Sequence, residues 1–255
     1  MTRRLVFTVD VDRDVNFQVE GSDAAGSLDF GSGTAPRFTS SERGLSVLLD
    51  ILDDIGMRAT FFVEGRTAET IDCSGISSHC VGFHGYDHED LTKVSDPGKV
   101  MDRGYAAVRD SICRPVCFRA PYMTIDDGIY GHLSRLGIGH DSSAYGEPGA
   151  PTYQVSGVTV HPVAKGKDAN GKTIAAYLWP MHEGRRIPSD YLYLARSMTD
   201  GELVLSTHSW HMVESRESGP MSEELIRANS EDLRTVLCSI LDEGFEPSVL
   251  TDVRP

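Results

Sequence analysis

Four short stretches carry side chains that could do chemistry together. "HGYDH" puts His84 and His88 four residues apart, "TVDVD" puts Asp10 and Asp12 two apart, "FRAPY" carries Arg119, and "LSTHSW" carries His208. Asp12, His84 and His88 make up a donor set of two imidazoles and one carboxylate. Such a set holds a divalent cation and leaves coordination positions open, as a catalytic zinc-type site requires. A cation held this way brings the pKa of its water to about 7, which makes a nucleophile at neutral pH. The same donors can also form an iron facial triad for oxygen chemistry. Arg119 among carboxylates would hold one of them ionised by charge-assisted hydrogen bonds, although taken alone it reads as a surface ion pair. His208 reads either as a core histidine or as a general acid that protonates a leaving amine. Asp141, which opens "DSS", is either the carboxylate that keeps His208 charged near neutrality or a helix N-cap.

These residues can act together only if the chain brings them to one place. "LVFTVDVD" (5–12) reads as a buried strand ending in acids, with Asp10, Asp12 and Asp14 on one face while the chain stays extended. Further short apolar runs end in polar residues: "ATFFVEG" (59–65), "CVGFHG" (80–85), "VCFRAP" (116–121), "LGIGHDSS" (136–143), "LVLSTHSW" (203–210) and "PSVLTDV" (247–253). Between many of them lie helical periodicities. Residues 40–56 have an i, i+3, i+4, i+7 stripe at Leu45, Leu48, Leu49 and Leu52, with a serine N-cap before it and Gly56 closing it. Residues 96–110, 124–137 and 221–244 read similarly. Strand and helix alternating along the chain predict an α/β fold, a parallel barrel, whose chemistry sits at the C-terminal ends of the strands. Two stretches, 13–39 and 144–190, are rich in Gly with Ser and Asp or with Pro and Tyr, and read as long functional loops. No repeat or composition break marks a linker, so residues 1–255 read as one domain.

Lys plus Arg number 24 and Asp plus Glu 38, a net charge of −14. That balance excludes nucleic acid as the main partner and suits a neutral or cationic ligand. Five cysteines, Cys73, Cys80, Cys113, Cys117 and Cys238, form no paired zinc-knuckle spacing and read as reduced thiols. "MTRRLVFTVDVD" is too short in its apolar run for a signal peptide, and no stretch is long enough to span a bilayer. The expected location is therefore the cytoplasm; a homo-oligomer is compatible with the sequence.

Taken in order, the motifs resemble those of the polysaccharide deacetylase family (carbohydrate esterase family 4, the NodB-homology domain). "TVDVD" is similar to its first motif, "HGYDH" to the second, "RAPY" to the third, the Asp141 segment to the fourth and "LSTH" to the fifth, with "ATFFVEG" as the usual second strand. The likeness runs from the first strand to "GFEPSVLTDV". It implies a distorted (β/α) barrel and a metal-dependent hydrolase that removes N-acetyl groups from amino sugars, in a glycan, an oligosaccharide or a sugar conjugate. It also implies a metal-activated water, Asp10 as base and His208 as acid tuned by Asp141. Asp12, His84 and His88 are the implied metal ligands, with Zn2+ the default and Co2+, Mn2+, Ni2+ or Fe2+ suited to the same donors. Arg119 would orient Asp10, the backbone N–H of Tyr122 would help hold the oxyanion, and Leu205 would line the acetyl-methyl pocket. Tyr145 and Trp210, with Tyr153 and Trp179, are candidate sugar-stacking residues. The first motif departs from the usual adjacent aspartates by spacing them Asp-Val-Asp, a form similar to an intracellular branch that includes allantoinase-like proteins. Hydrolysis of a cyclic ureide or imide is therefore an alternative, and a non-catalytic carbohydrate-binding relative is a third.

Overall fold

The computed structural model describes residues 2–14 and 36–252. The first strand, β1 (Arg3–Val11), is buried from Leu5 onward, as expected of a central strand covered on both faces. It is followed by α1 (Thr39–Ile55), β2 (Thr60–Val63), α2 (Gly65–Thr70), β3 (Cys80–Phe83), α3 (Pro97–Ser111), β4 (Cys117–Phe118), α4 (Asp127–Leu136) and β5 (His140–Asp141). The next stretch holds five short strands: β6 (Tyr145–Gly146), β7 (Tyr153–Val155), β8 (Val158–Val160), β9 (Val163–Lys167) and β10 (Thr173–Ala175). After α5 (Trp179–His182) and α6 (Pro188–Arg196) come β11 (Gly201–His208), the small antiparallel pair β12 (Glu214–Ser215) and β13 (Gly219–Pro220), then α7 (Glu223–Asp242) and β14 (Glu246–Ser248).

The sheet runs β10-β9-β11-β1-β2-β3-β4-β5-β8-β7, with β14 added to β1 and β6 to β9. Every pairing from β11 to β8 is parallel, and only β9–β10 and β7–β8 are antiparallel. This is the expected α/β barrel-type architecture, a curled and mostly parallel sheet. The stretch 144–190 is not one long loop: it carries five short strands and α5, joined by turns. Of the other expected loop, residues 15–35 lie outside the described residues. The expected strand over 247–253 shortens to β14 and a turn of 3₁₀ helix at Leu250–Asp252.

Register aligns the strand ends. Asp10 lies opposite His208, and Phe83, Phe118 and Asp141 lie side by side across β3, β4 and β5. The next residues, His84, Arg119 and Ser142, continue the ladder: His84 N–H donates to Val63 O (2.9 Å), Arg119 to Phe83 O (3.2 Å) and Ser142 to Phe118 O (3.0 Å). The interior face of β1 is polar at Thr8 and Asp10 and continues into Asp12, all three buried.

The helices end where local chemistry places their caps. Asp96, Asp126 and Ser222 each accept a backbone N–H at the start of α3, α4 and α7, and Gly56 closes α1 in the left-handed conformation. The serine N-cap expected for α1 is not used. Phe38 is the capping position and has no side-chain bond. Asp14 accepts the Ser40 N–H (3.0 Å) and pairs with Arg37 (3.1 Å) instead, so it does not share the site with Asp10 and Asp12. All five cysteines are free. Among the described residues no helix is long and apolar enough to cross a membrane.

One packing contact ties the helical layer to the site. The Gly85 carbonyl, next to His84, accepts the Gly65 N–H that opens α2 (3.1 Å), and it lies so close to α3 that a Cβ at Gly104 would overlap it. Gly104→Ala is expected to cost about 1–3 kcal/mol through overpacking. Thermal unfolding should show a fall in Tm, and titration of the folded variant should show weaker divalent-metal binding, because the displaced loop carries both histidines.

Candidate active site

The loop that follows β3 makes a sharp reversal. Gly85 and His88 both take positive φ, 70° and 58°, and the Glu89 carboxylate accepts the backbone N–H groups of Tyr86 (3.1 Å) and Asp87 (2.8 Å). Behind it lies a largely buried ion-pair network. The Arg13 backbone N–H donates to Glu64 Oε2 (3.0 Å), its Nε to Glu64 Oε1 (2.6 Å) and its Nη2 to Asp87 Oδ1 (2.6 Å). Arg13 thus ties the end of β1, the end of β2 and the histidine loop together. The His84 Nδ1 faces the Arg119 carbonyl at 2.8 Å. That carbonyl can only accept, so Nδ1 carries the proton and Nε2 is left as a donor atom, an orientation typical of a metal-ligating histidine.

Asp12, His84 and His88 each present a ligand atom, and these lie within 4.8 Å of one another. His88 Nε2 is 3.5 Å from Asp12 Oδ2. Both carboxylate oxygens of Asp12 and the Nδ1 of His88 are buried with no hydrogen-bond partner among the described residues. Burial, with Asp10 and Glu64 nearby, pushes the Asp12 carboxyl well above its ordinary value. Burial, with His84, His208 and Arg13 nearby, pushes the His88 imidazole well below its own. Orphaned carboxylate oxygens beside neutral imidazoles are what a divalent cation relieves, so the residues present fit one.

Asp10 is held quite differently. Burial alone would raise its carboxyl, but Arg119, His84, His208 and a hydrogen bond from Tyr177 outweigh that and hold it below the usual range. Arg119 Nη1 donates to Asp10 Oδ1 at 2.8 Å, and the Tyr177 hydroxyl donates to Asp10 Oδ2. Tyr177 was not singled out from the sequence. It lies in an ordinary apolar run, and only its bridge to Ser206 on β11 brings it over the site. His208 Nε2 is 3.9 Å from Asp10 Oδ2. Burial, against the pull of Asp10, lowers the His208 imidazole to about 4, so it is neutral at rest.

Two sequence expectations need correction. Asp141 does not tune His208: its carboxylate accepts from Ser143 N–H (3.0 Å), Ser143 Oγ and Tyr130 Oη (3.1 Å), and His208 Nδ1 has no hydrogen-bond partner among the described residues. Nor does Asp141 cap a helix; it closes a local turn onto the residue two ahead. Its effect reaches the site through Ser143, whose hydroxyl also accepts the Ala120 N–H (2.8 Å) beside Arg119. Leu205 is fully buried and does not line the cavity, because strand alternation turns Ser206 and His208 inward and Leu205 away.

A cavity of about 200 Å³ is lined by Asp10, His84, His88, Tyr122, Tyr145, Tyr177, Trp179, His208 and Trp210, whereas Asp12 and Arg119 are fully buried and do not line it. Tyr145 is 46% exposed at the rim, whereas Trp210 is buried. Tyr153 is exposed but does not line the cavity. Tyr122 takes φ 60° and Met123 φ 57°, a strained conformation for residues with side chains. The rings of Tyr122 and His88 meet edge to face, with centroids 4.7 Å apart.

Two measurements test this electrostatic layout. A divalent metal should raise the Tm of the chain but not that of Asp12→Asn, and affinity should fall as pH drops through the raised Asp12 pKa, because metal and proton compete for the same oxygens. Asp141, raised by burial to about 6 from an ordinary 3.8, keeps its proton in the folded state over a range where the unfolded chain has lost it. Its contribution to stability therefore falls as pH rises across that window, by on the order of 3 kcal/mol at most. Denaturant unfolding at both ends of the window should show this decline reduced in Asp141→Asn.

Residues 29–139 match the family model described as polysaccharide deacetylase. A peptidoglycan deacetylase-like protein of Gibberella zeae is 33% identical over 138 residues, 50% of this chain and 40% of that one. A chitin deacetylase of Colletotrichum lindemuthianum is 34% identical over 102 residues, 35% of this chain and 41% of that one. The chain thus spans less than half the length of these curated relatives. In fold, it is similar to the solved structure of a polysaccharide-deacetylase-type protein of Mycobacterium smegmatis, with a TM-score of 0.59 at 20% identity, covering 100% of this chain and 94% of that one. Over residues 29–139 the chain is thus similar to the polysaccharide deacetylase family, and its barrel is of the same fold as that solved structure.

Proposed function

We propose that the chain is a metal-dependent N-deacetylase of amino sugars, hydrolysing an acetamide to acetate and a free amine. The observation that carries this reading is the placement of Asp10 and His208 on the same cavity as the Asp12–His84–His88 cluster. A divalent cation on those three ligands, zinc by default, with cobalt, manganese, nickel or iron suited to the same donors, supplies Lewis acidity that polarises the carbonyl and acidifies a water.

The chain's own groups handle the protons. Asp10, held ionised by Arg119 and Tyr177, takes a proton as water adds to the acetamide carbon. His208 is neutral at rest, so the proton it gives to the departing nitrogen is one it must first collect. Asp10, 3.9 Å away, is the nearest source. Breaking the C–N bond then releases the amine and acetic acid, whose remaining proton passes to the amine to leave acetate. The backbone N–H of Tyr122, in its strained turn, is the proposed donor to the developing oxyanion, help that is worth about 3–4 kcal/mol per donor where it has been measured. Tyr145 at the rim with Trp179 gives flat faces that suit a pyranose ring, while the buried Trp210 backs His208 instead. That favours a glycan or sugar conjugate over a cyclic ureide or imide.

Acetate release from N-acetylated sugars by the metal-loaded chain tests this. Asp10→Asn and His208→Ala should each lower kcat by about 10²–10⁴-fold while metal content stays near that of the wild type. His84→Ala should lose the metal itself. Full activity after chelation, or turnover of ureides with none of acetamides, would remove the proposal.

A further inference from the structure

The cavity wall has a charge arrangement that the proposed chemistry does not use. Its one carboxylate, Asp10, is engaged by Arg119 and Tyr177. Its one Lys or Arg is Arg216, in the turn between β12 and β13. That turn is anchored from below: the Arg216 backbone N–H donates to Glu183 Oε1 (2.6 Å) and the Ser215 hydroxyl to Glu183 Oε2 (2.7 Å). The guanidinium itself is half-buried and, among the described residues, pairs with no carboxylate; its neighbour is the Trp179 ring, 5.9 Å away. Nearby arginines are neutralised, Arg185 by Glu217 and Arg186 by Asp168. Across the cavity mouth the exposed Lys165 ammonium sits 5.3 Å over the ring of Tyr145. In a chain of net charge −14, the site therefore presents an uncompensated cation beside a stacking surface, and low-dielectric walls focus its field on whatever enters.

We propose that Arg216 is a specificity residue that pairs with an anionic substituent, a carboxylate or a phosphate, on the amino sugar whose acetamide is cleaved. The planar guanidinium matches both groups in bidentate geometry, and a sugar face on Trp179 would bring such a substituent alongside it. The inference rests on the deacetylase reading and narrows its substrate class. It also changes the expectation drawn from net charge: the surface as a whole repels anions, while this wall attracts them.

The test compares the metal-loaded chain with Arg216→Gln and Arg216→Lys on three probes: a neutral N-acetylated chitooligosaccharide, a glycan containing N-acetylmuramic acid (carboxylate), and N-acetylglucosamine 6-phosphate. The wild type should favour one anionic probe in kcat/KM, and which one it favours distinguishes carboxylate from phosphate. Arg216→Gln should lower the anionic-over-neutral ratio about tenfold, the scale of one charge-assisted hydrogen bond, through KM rather than kcat. Arg216→Lys should keep part of the preference, and about 0.5 M salt should erode it in the wild type. Calorimetric binding of the same probes should show the same preference without turnover. Equal losses on neutral and anionic probes, or a wild type that favours neither anion, overturn the inference. If no probe releases acetate while calorimetry keeps the anion preference, the deacetylase reading fails and the role of Arg216 stands.

Discussion

The site depends on one guanidinium taken wholly out of water. Arg119 Nη1 donates to Asp10 Oδ1 (2.8 Å), Thr8 Oγ1 (3.0 Å) and Ser206 Oγ (2.7 Å), and Nε and Nη2 donate to the carbonyl and hydroxyl of Ser142 (2.8 and 2.9 Å). The Phe62 ring lies under its carbon at 4.4 Å. Desolvating a cation costs several kcal/mol, which only close pairing and full hydrogen bonding offset. Here the offsetting partners come from β1, β11 and the residue after β5, so the same contacts that satisfy the charge also fasten the strand ends around it. Without Arg119, Asp10 would be a buried carboxylate short of its main counter-charge and the strand ends would lose their shared partner.

That constraint explains why two carboxylates two residues apart behave in opposite ways. Asp10 and Asp12 leave β1 on the same face and are equally buried. Arg119 and Tyr177 reach Asp10 and keep it ionised. Among the described residues no hydrogen bond reaches the oxygens of Asp12, and burial with Asp10 and Glu64 nearby raises its carboxyl well above the ordinary value. Environments that push neighbouring titratable groups apart are the usual means of dividing roles in a hydrolytic site. Here one carboxylate is arranged to take protons and the other to take a cation. Arg13 lies adjacent in sequence to Asp12 but spends its charge on Glu64 and Asp87 behind the loop.

Much of this was legible before any coordinates. The apolar runs ending in acids, histidines and arginine mark β1, β3, β4 and β11, because a parallel strand buried on both faces is a short apolar run. The stripe at Leu45, Leu48 and Leu52 marks α1, and Gly56 marks its end. Asp12 with His84 and His88 was readable as a ligand set from residue type and spacing. Tyr177, Arg13 and Glu64 were not readable as parts of one site, since nothing in their local sequence sets them apart. The pairing of Asp141 with His208 was expected from the resemblance, and it fails because Ser143 and Tyr130 already occupy the Asp141 oxygens.

The sequence by itself determined the local facts: which segments become strands or helices, which residues stand at strand ends, and which side chains alternate inward. It does so because backbone propensity, capping and the two-residue alternation of a strand act over a few neighbouring positions. Only the tertiary structure decided which of those ends meet. The register that sets Asp10 against His208 and the hydrogen bond that sets Tyr177 on Asp10 join residues about 170 to 200 positions apart, and the turn that brings Arg216 to the cavity wall is held by Glu183 from another element. They follow from sheet curvature and burial of the whole chain, which no short window of sequence contains.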